Sequence, residues 1–327
     1  MNTKPRIIAV GGPTASGKSA LALSLAERLN GEIISCDSMQ IYKGMDIGTA
    51  KPTAEELSRV PHHMIDVCDP TVNYSAADWA EGAAKAIEDV IARGKAPVIC
   101  GGTGMYLDAL LRPSSFAETD IEREDSEAFR TEMTAFAEKM GNGALHGKLR
   151  EVDPESAQAI HPNNVKRVIR ALEIYHLTGI TKTEADRRSV LGESPYDCAV
   201  ITLDYESRDV LYERINRRVD VMLQEGLIDE IKSLLTAGKL TEDTTAAQAI
   251  GYKEVLLHLN GSLTLDEAAE LIKKNTRNYA KRQITWFKRY NGISVVPDKG
   301  GLLKSSAALC EEAVANLPPR FLETTYI

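Results

Sequence analysis

The chain has 327 residues, of which 43% are hydrophobic and 26% are charged. This length predicts about two domains, and the balance is typical of a globular protein with a buried core. No run approaches the roughly 20 apolar residues that a membrane span requires, so no membrane partner is predicted. The net charge of −8 excludes a uniformly basic surface, although it permits a local basic face that binds a polyanion.

The five cysteines are odd in number and lie far apart in the chain. They form neither a zinc-type pair nor a disulfide framework, which favours buried thiols in a reducing compartment. The six histidines show no metal-binding pattern. Because a strand-like run at residues 7–10 leaves no room for a secretory signal, we predict a cytoplasmic protein.

Strand and helix signals alternate along the first hundred residues. Short apolar runs predict strands at 7–10, 32–36 and 97–100. Helical periodicity predicts a helix from Lys18 to Leu29, and a capping box at Ser75 and Asp78 begins another that continues to Arg93. Such alternation predicts an α/β fold with a parallel sheet flanked by helices.

The strand signal ends near residue 113 and returns in a fourth apolar run at 199–203. Charged helical segments fill the interval between them. Further helices are predicted from the fourth strand to about Tyr290. The structure of the tail after Pro297 is expected to be only weakly determined, because its sequence shows no clear helix or strand pattern.

The residues between the first strand and the first helix fit the Walker-A pattern G-x-x-x-x-G-K-[ST]. They are Gly12, Pro13, Thr14, Ala15, Ser16, Gly17, Lys18 and Ser19, and we call them the P-loop. Glycines let backbone N–H groups turn towards phosphate oxygens, Lys18 adds a charge, and the Ser19 hydroxyl can ligate Mg²⁺. This pattern predicts a site for a polyphosphate or diphosphate, without specifying which molecule carries it.

The P-loop and the strand pattern together predict the domain organisation. Residues 1–113 and 199–327 are expected to form a P-loop NTPase-like α/β catalytic core, and residues 114–198 an inserted all-helical subdomain. No internal repeat interrupts this division.

Asp37 directly follows the second predicted strand, at the carboxyl edge of the sheet beside the P-loop. A hydrolytic ATPase usually places an acid after a later strand, but here that strand runs into Gly101-Gly102-Thr103-Gly104. Asp37 therefore suits a residue that acts on an acceptor, as a general base or through a hydrogen bond, and the alternative is a turn or helix-cap acid. Thr103 at the same edge fits a site residue and a helix cap equally well.

Two groups of basic residues complete the candidate site. Arg214 and Arg218 share one helix face and suit a leaving diphosphate, although pairing with acids such as Glu213 or Asp220 is the alternative. Residues 273–290 contain no acid, which favours a polyanion-binding helix, with a solvated charged face as the alternative. The basic side chains of this helix include Arg277, Lys281, Arg282, Lys288 and Arg289.

Seven blocks of sequence together resemble one family, the tRNA dimethylallyltransferases, also called isopentenyl-tRNA transferases. The blocks are GPTASGKS from Gly12, DSMQIYKGMDIGTAKP from Asp37, GGTGMYL from Gly101, HPNNVKRVIRALE from His161, YERINRRVDVMLQEGLIDE from Tyr212, QAIGYKE from Gln248 and TRNYAKRQITWF from Thr276. They follow the family's order over nearly the whole chain. No zinc-finger cysteines follow the core, which favours the bacterial-type form.

The resemblance implies transfer of a dimethylallyl group from dimethylallyl diphosphate to the exocyclic amine of the adenosine 3′-adjacent to the tRNA anticodon. Diphosphate leaves, and no ATP is hydrolysed. By the same resemblance the P-loop, Arg214 and Arg218 hold the diphosphate with Mg²⁺ as cofactor, which Ser19 ligates. Asp37 deprotonates the adenine amine and Thr103 helps to place it. A monomer is expected.

The resemblance also implies which segments contact tRNA. They are Asp37, Ser38, Met39 and Gln40; Lys166, Arg167, Val168, Ile169 and Arg170; Gln248, Ala249, Ile250, Gly251, Tyr252 and Lys253; and Arg277, Lys281 and Arg282 of the basic helix. The acidic run at 118–127 matches no contact motif, so none is assigned there. Two other functions stay open on the residues alone: a small-molecule P-loop kinase that uses ATP, and an RNA-binding protein switched by a nucleotide.

Overall fold

The computed structural model describes residues 4–112, 123–191, 193–241 and 244–323. The chain divides into two compact units, one formed by Met1–Leu110 with Pro195–Ile327 and the other by Leu111–Ser194. The acidic run at 118–127 begins outside the described residues.

Within the described residues, the first unit contains one six-stranded sheet in which all paired strands are parallel. The strands are β1 (Arg6–Gly11), β2 (Gly31–Ser35), β3 (His62–His63), β4 (Ala96–Gly101), β5 (Asp197–Leu203) and β6 (Ile293–Val295). Their order in the sheet is β3-β2-β4-β1-β5-β6. Because all strands run in the same direction, the segments after β1, β2 and β4 meet at one carboxyl edge.

Fourteen helices lie in the described parts of the chain. They are α1 (Lys18–Arg28), α2 (Ala54–Arg59), α3 (Ala76–Ala92), α4 (Gly104–Leu111), α5 (Arg123–Met140), α6 (Asn142–Val152), α7 (Pro154–Ala159), α8 (Val165–Thr178), α9 (Lys182–Leu191), α10 (Arg208–Gln224), α11 (Leu227–Thr236), α12 (Tyr252–Leu259), α13 (Leu265–Phe287) and α14 (Ser306–Asn316). The predicted α/β class with a parallel sheet and flanking helices is confirmed.

The four predicted strands correspond to β1, β2, β4 and β5, with bounds that differ by one or two residues. The predicted capping box begins α3, since the Ser75 hydroxyl accepts the Asp78 N–H at 3.1 Å and Asp78 accepts the Ser75 N–H at 2.9 Å. Strands β3 and β6 were not predicted, because segments of two and three residues are too short to show a period.

The expectation of a weakly determined tail after Pro297 is wrong. Ser305 caps α14 by accepting the Ala308 N–H at 3.2 Å. Leu309, Ala313 and Phe321 are almost fully buried and join the core formed by β1, β4, β5 and α1. A buried side chain as large as Leu309 or Phe321 contributes about 1.5–3 kcal/mol, so the tail stabilises the sheet on the side of α1.

The second unit has its own helical core. Leu145, Leu149, Val168 and Leu172 are buried together between α6 and α8. Glu173 of α8 is completely buried among them, and its carboxylate accepts hydrogen bonds from Arg130 at 2.6 Å and Arg170 at 2.7 Å. Paired in this way, a charge can remain in the core of the unit.

Candidate active site

The P-loop connects the end of β1 to the start of α1 and has an irregular backbone. Gly12, Ala15 and Gly17 have positive φ values of 144°, 60° and 94°. The Lys18 ammonium donates to the Pro13 carbonyl at 3.3 Å and so lies across the loop. Left-handed residues in such a loop turn successive N–H groups to one side, which forms a concave anion site at the N-terminus of α1.

Side chains from distant elements hold the P-loop carbonyl groups. Arg214 Nε of α10 donates to the Ala15 carbonyl at 2.9 Å, and the Tyr205 hydroxyl donates to that of Ser16 at 3.0 Å. Arg214 therefore lies at the P-loop, while Asp220, one of its alternative partners, pairs with Lys273 at 2.8 Å. These two hydrogen bonds hold the backbone of the loop in its observed conformation.

The P-loop cations are partly desolvated. Burial lowers the pKa of Lys18, and Arg218 lowers it further, against the opposing effect of Cys100 and Asp37. Burial also lowers the pKa of Arg218, which Asp37 opposes and Arg214 reinforces. Because like charges in a desolvated site repel one another, an anion bound between them is favoured.

Asp37 lies at the carboxyl end of β2 and uses one carboxylate oxygen to form a turn. Oδ1 accepts the N–H of Met39 at 2.9 Å and that of Gln40 at 3.4 Å. Within the described part of the chain, Oδ2 has no hydrogen-bond partner. The turn-acid alternative is therefore a real feature of the fold, but it uses only Oδ1 and leaves Oδ2 for a substrate proton.

Thr103 joins the segment after β4 to the segment after β2. Its N–H donates to the Cys36 carbonyl at 3.1 Å, and its hydroxyl accepts the Ser38 N–H at 3.1 Å. Burial raises the pKa of Tyr279 of α13 to about 12, and the nearby Asp37 carboxylate adds to this increase. Thr103 thus lies next to Asp37 as well as directly before α4.

Gln283 of α13 ties the P-loop to the same edge. Its side chain accepts the Thr14 N–H at 2.8 Å and donates to the Gly102 carbonyl at 3.0 Å. A Cβ atom at Gly102 would lie 2.0 Å from Gln283 Nε2, and one at Gly104 would lie 2.1 Å from Trp286. The glycines after β4 therefore let α13 approach the sheet. Gln283 and Tyr279 were missed as site residues, although both lie in the TRNYAKRQITWF block.

We expect Gln283→Leu to lower the thermal stability of the protein. The part-buried Thr14 N–H and the buried Gly102 carbonyl would lose their partner, and a buried group left without a partner costs about 1–3 kcal/mol. Thermal unfolding with and without pyrophosphate measures the loss, and the ligand should raise the Tm less than in the wild-type protein. Thr285→Ala on the exposed face of the helix is the matched control. An unchanged Tm in both conditions would contradict the bridging role of Gln283.

A cavity of about 710 Å³ opens at this edge of the first unit. Its walls include all residues from Thr14 to Ser19 and the side chains Asp37, Gln40, Arg214, Arg218, Tyr279 and Gln283. One cavity thus joins the P-loop, a carboxylate oxygen of Asp37 and three arginines, Arg214, Arg217 and Arg218. A diphosphate and a second reactant fit within that volume.

Comparisons with known proteins show the family of this chain. The sequence model of the IPP transferase family matches residues 40–290. A tRNA dimethylallyltransferase of Caldanaerobacter subterraneus is 48% identical over 289 residues, which are 88% of this chain and 90% of that protein. The crystal structure of the full-length tRNA isopentenylpyrophosphate transferase of Bacillus halodurans is 44% identical over 98% of each chain, with a TM-score of 0.70.

A eukaryotic dimethylallyltransferase, whose structures show it acting on tRNA, is 30% identical, with a TM-score of 0.78 over 95% of this chain and 79% of that one. The chain belongs to the tRNA dimethylallyltransferase family. The resemblance found in the sequence blocks is confirmed, and the relatives are prenyltransferases from bacteria as well as a eukaryote.

The segments that family resemblance assigns to tRNA differ in exposure in the first unit. Gln248, Lys281 and Arg282 are exposed, whereas Ala249, Gly251 and Tyr252 are buried. Arg277 donates to the Asn216 side chain at 2.5 Å, and Lys281 and Arg282 lie over Tyr212 and Tyr279 at 6.0 and 5.5 Å. The exposed and partly exposed members can touch a tRNA directly, whereas the buried ones cannot.

In the second unit the assigned segment begins α8. Lys166 and Arg167 are exposed, Val168 and Ile169 belong to the buried core, and Arg170 pairs with Glu173. A contact between this segment and tRNA would therefore use Lys166, Arg167 and the outer part of Arg170.

The described residues contain no group of three His, Cys, Asp or Glu side chains that could hold a metal ion. Ser19 is exposed in the first turn of α1, beside the buried Cys100 thiol. A hydroxyl with few acids around it suits a Mg²⁺ ion held mainly by phosphate oxygens. In the same described ranges, no helix is long and apolar enough to cross a membrane.

Proposed function

We propose that the chain transfers a dimethylallyl group from dimethylallyl diphosphate to the exocyclic amine of the adenosine 3′-adjacent to the anticodon in tRNA. The observation that carries the proposal is the shared cavity, in which Asp37 and the P-loop lie together in a member of this family. The nitrogen–carbon bond forms, the carbon–oxygen bond to the diphosphate breaks, and the amine proton leaves to Asp37.

The P-loop binds the donor by its diphosphate. N–H groups of the loop, Lys18, Arg214 and Arg218 surround the phosphate oxygens, whose negative charge increases as the carbon–oxygen bond breaks. Groups that bind this charge more tightly in the transition state accelerate the reaction. Ser19 would hold Mg²⁺, which supplies further charge stabilisation on the diphosphate when it is bound.

The acceptor amine is a weak nucleophile, so its proton must leave as the new bond forms. Asp37 Oδ2 accepts that proton, while Oδ1 remains bound to the turn at Met39. Thr103 fixes the Ser38 segment beside it through the 3.1 Å hydrogen bond. An adenine must leave its stack to reach this cavity, which costs a few kcal/mol and requires contacts along the tRNA backbone.

Those backbone contacts come from basic side chains in both units of an acidic protein. In the first unit they include Arg277, Lys281 and Arg282 of α13, and in the second Lys166 and Arg167 of the inserted helical subdomain predicted at 114–198. Phosphate contacts of this kind position a nucleic acid without reading its sequence.

We expect replacement of Arg277, Lys281 and Arg282 together by glutamine to weaken tRNA binding. The slope of log affinity against log salt should become shallower by about 0.7–0.9 for each tRNA phosphate that the variant no longer neutralises. Filter binding over a range of KCl concentrations measures both effects.

The control for this triple variant replaces Lys85, Lys232 and Arg28, which are exposed cations outside the predicted tRNA-binding segments. It should retain the wild-type salt slope. If the α13 variant also keeps that slope, the tRNA footprint lies elsewhere. Digestion of the tRNA product to nucleosides, followed by mass spectrometry, tests whether the modified base is the predicted adenosine.

A further inference from the structure

A carboxylate outside the cavity collects four hydrogen bonds from an active-site segment and a buried phenol. Glu230, in the first turn of α11, accepts the N–H of Asp46 at 2.8 Å, that of Ile47 at 2.6 Å and that of Gly48 at 3.2 Å. The Tyr252 hydroxyl donates to the same carboxylate at 2.6 Å. We call the Glu230 and Tyr252 side chains the clasp.

Packing at the clasp leaves no room for a side chain at position 48, which is a glycine. Tyr252 is completely buried, and a Cβ atom at Gly48 would lie 2.4 Å from its Cε2 atom and 2.9 Å from Leu227. The ring therefore packs directly on the backbone of the 46–48 turn. Hydrogen bonds to Glu230 of α11 and packing of Tyr252 of α12 on Gly48 thus hold the same turn.

The segment held by the clasp continues into the wall of the cavity. Thr49 and Ala50 line the cavity, and Ala50 has a positive φ of 48°. Gln40 donates to the carbonyls of Thr49 and Ala50 at 3.2 and 3.0 Å, and it accepts the Ser35 hydroxyl at 2.8 Å. A left-handed conformation at a residue other than glycine persists only where its surroundings hold it.

Gln40 is also the link to the candidate base. Its backbone N–H donates to Asp37 Oδ1, the oxygen that forms the turn after β2. The connection thus runs from Glu230 through the 46–48 turn and the Gln40 side chain to Asp37. The P-loop also lines the cavity but is held by other residues, Arg214, Tyr205 and Gln283.

We infer that Glu230 and Tyr252 are positioning residues that set the acceptor side of the cavity, an inference that rests on the proposed function. The family resemblance placed Tyr252 among the residues that contact tRNA, but a fully buried side chain acts on tRNA only through others. Loss of the clasp therefore moves the acceptor nucleoside relative to Asp37 and leaves donor binding intact.

The test compares Glu230→Gln with Asp229→Asn, a neighbour whose side chain is 86% exposed and outside the clasp. In Glu230→Gln one carboxylate oxygen is replaced by an NH₂ group, which cannot accept the N–H groups of Asp46, Ile47 and Gly48. We expect kcat to fall by about tenfold to a hundredfold, as a misplaced acceptor requires. The KM for dimethylallyl diphosphate and the Kd for pyrophosphate should stay within about twofold of wild type. Amides of Asp46, Ile47 and Gly48 should exchange hydrogen faster, and Asp229→Asn should match the wild type throughout.

Two results would overturn the inference. One is a wild-type kcat in Glu230→Gln although the amides of Asp46, Ile47 and Gly48 exchange faster. The other is a loss of pyrophosphate affinity as large as the loss of kcat, because it would mean that the variant loosens the whole cavity and not only its acceptor side. If Glu230→Gln does not fold, Tyr252→Phe removes only the phenol hydroxyl and should shift the same quantities in the same direction. If the wild-type protein prenylates no tRNA, the proposed function fails, and the exchange measurement alone decides whether the clasp holds the turn.

Discussion

Replacement of Asp37 by asparagine is expected to lower kcat for prenyl transfer by about 10²- to 10⁴-fold, the usual contribution of a general base. An amide cannot accept the amine proton at neutral pH. Its oxygen can still accept the Met39 N–H, so the turn after β2 should survive. The affinities for pyrophosphate and for tRNA should therefore remain close to those of the wild type.

Single-turnover kinetics with saturating donor and tRNA measure this loss directly, because binding steps drop out of the rate. Asp204→Asn is the matched control, since Asp204 follows β5 at the same sheet edge and is exposed. It should react at the wild-type rate. Near-normal turnover by Asp37→Asn would remove Asp37 as the base.

Replacement of Lys18 by alanine should lower kcat/KM for dimethylallyl diphosphate by about 10²- to 10³-fold, as for the loss of one donor to a developing anion. The ammonium lies across the P-loop, and burial together with the neighbouring Arg218 lowers its pKa. A bound diphosphate offsets that cost, so the lysine contributes to donor binding and to departure of the leaving group.

Pyrophosphate titration and steady-state kinetics together test the Lys18 prediction. Pyrophosphate affinity should fall in Lys18→Ala, whereas tRNA affinity should not. Arg28→Ala, at the exposed end of the same helix, is the control for removal of a cation from α1. Wild-type pyrophosphate affinity in Lys18→Ala would mean that the diphosphate does not lie in the P-loop.

Local signals in the sequence predict the parts of this site that are built from neighbouring residues. The P-loop pattern predicts glycines that let the backbone turn, and Gly12 and Gly17 have positive φ in that turn. The capping box at Ser75 predicts where α3 begins, because both of its hydrogen bonds join residues three apart. Asp37 could be placed at the carboxyl edge of the sheet because it directly follows an apolar strand.

Contacts between distant residues could not be predicted in this way. Gln283 and its hydrogen-bond partner Thr14 are 269 positions apart in the sequence, and Glu230 and its partner Ile47 are 183 positions apart. No periodicity or spacing connects such residues, since tertiary packing brings them together. For the same reason the sequence predicted neither the burial of Tyr252 nor the helix in the tail. The apolar residues of that helix are buried only because α1 packs against them.

In the proposed reaction the P-loop carries a prenyl donor and tRNA is the acceptor. Incubation of labelled dimethylallyl diphosphate with unmodified tRNA and Mg²⁺, without ATP, tests it directly beside an ATP-hydrolysis control. We predict label in the tRNA, stoichiometric release of diphosphate and no consumption of ATP when ATP is added. Unlabelled tRNA together with ATP turnover would contradict the claim and assign the P-loop to a nucleotide, as in a kinase or a switch.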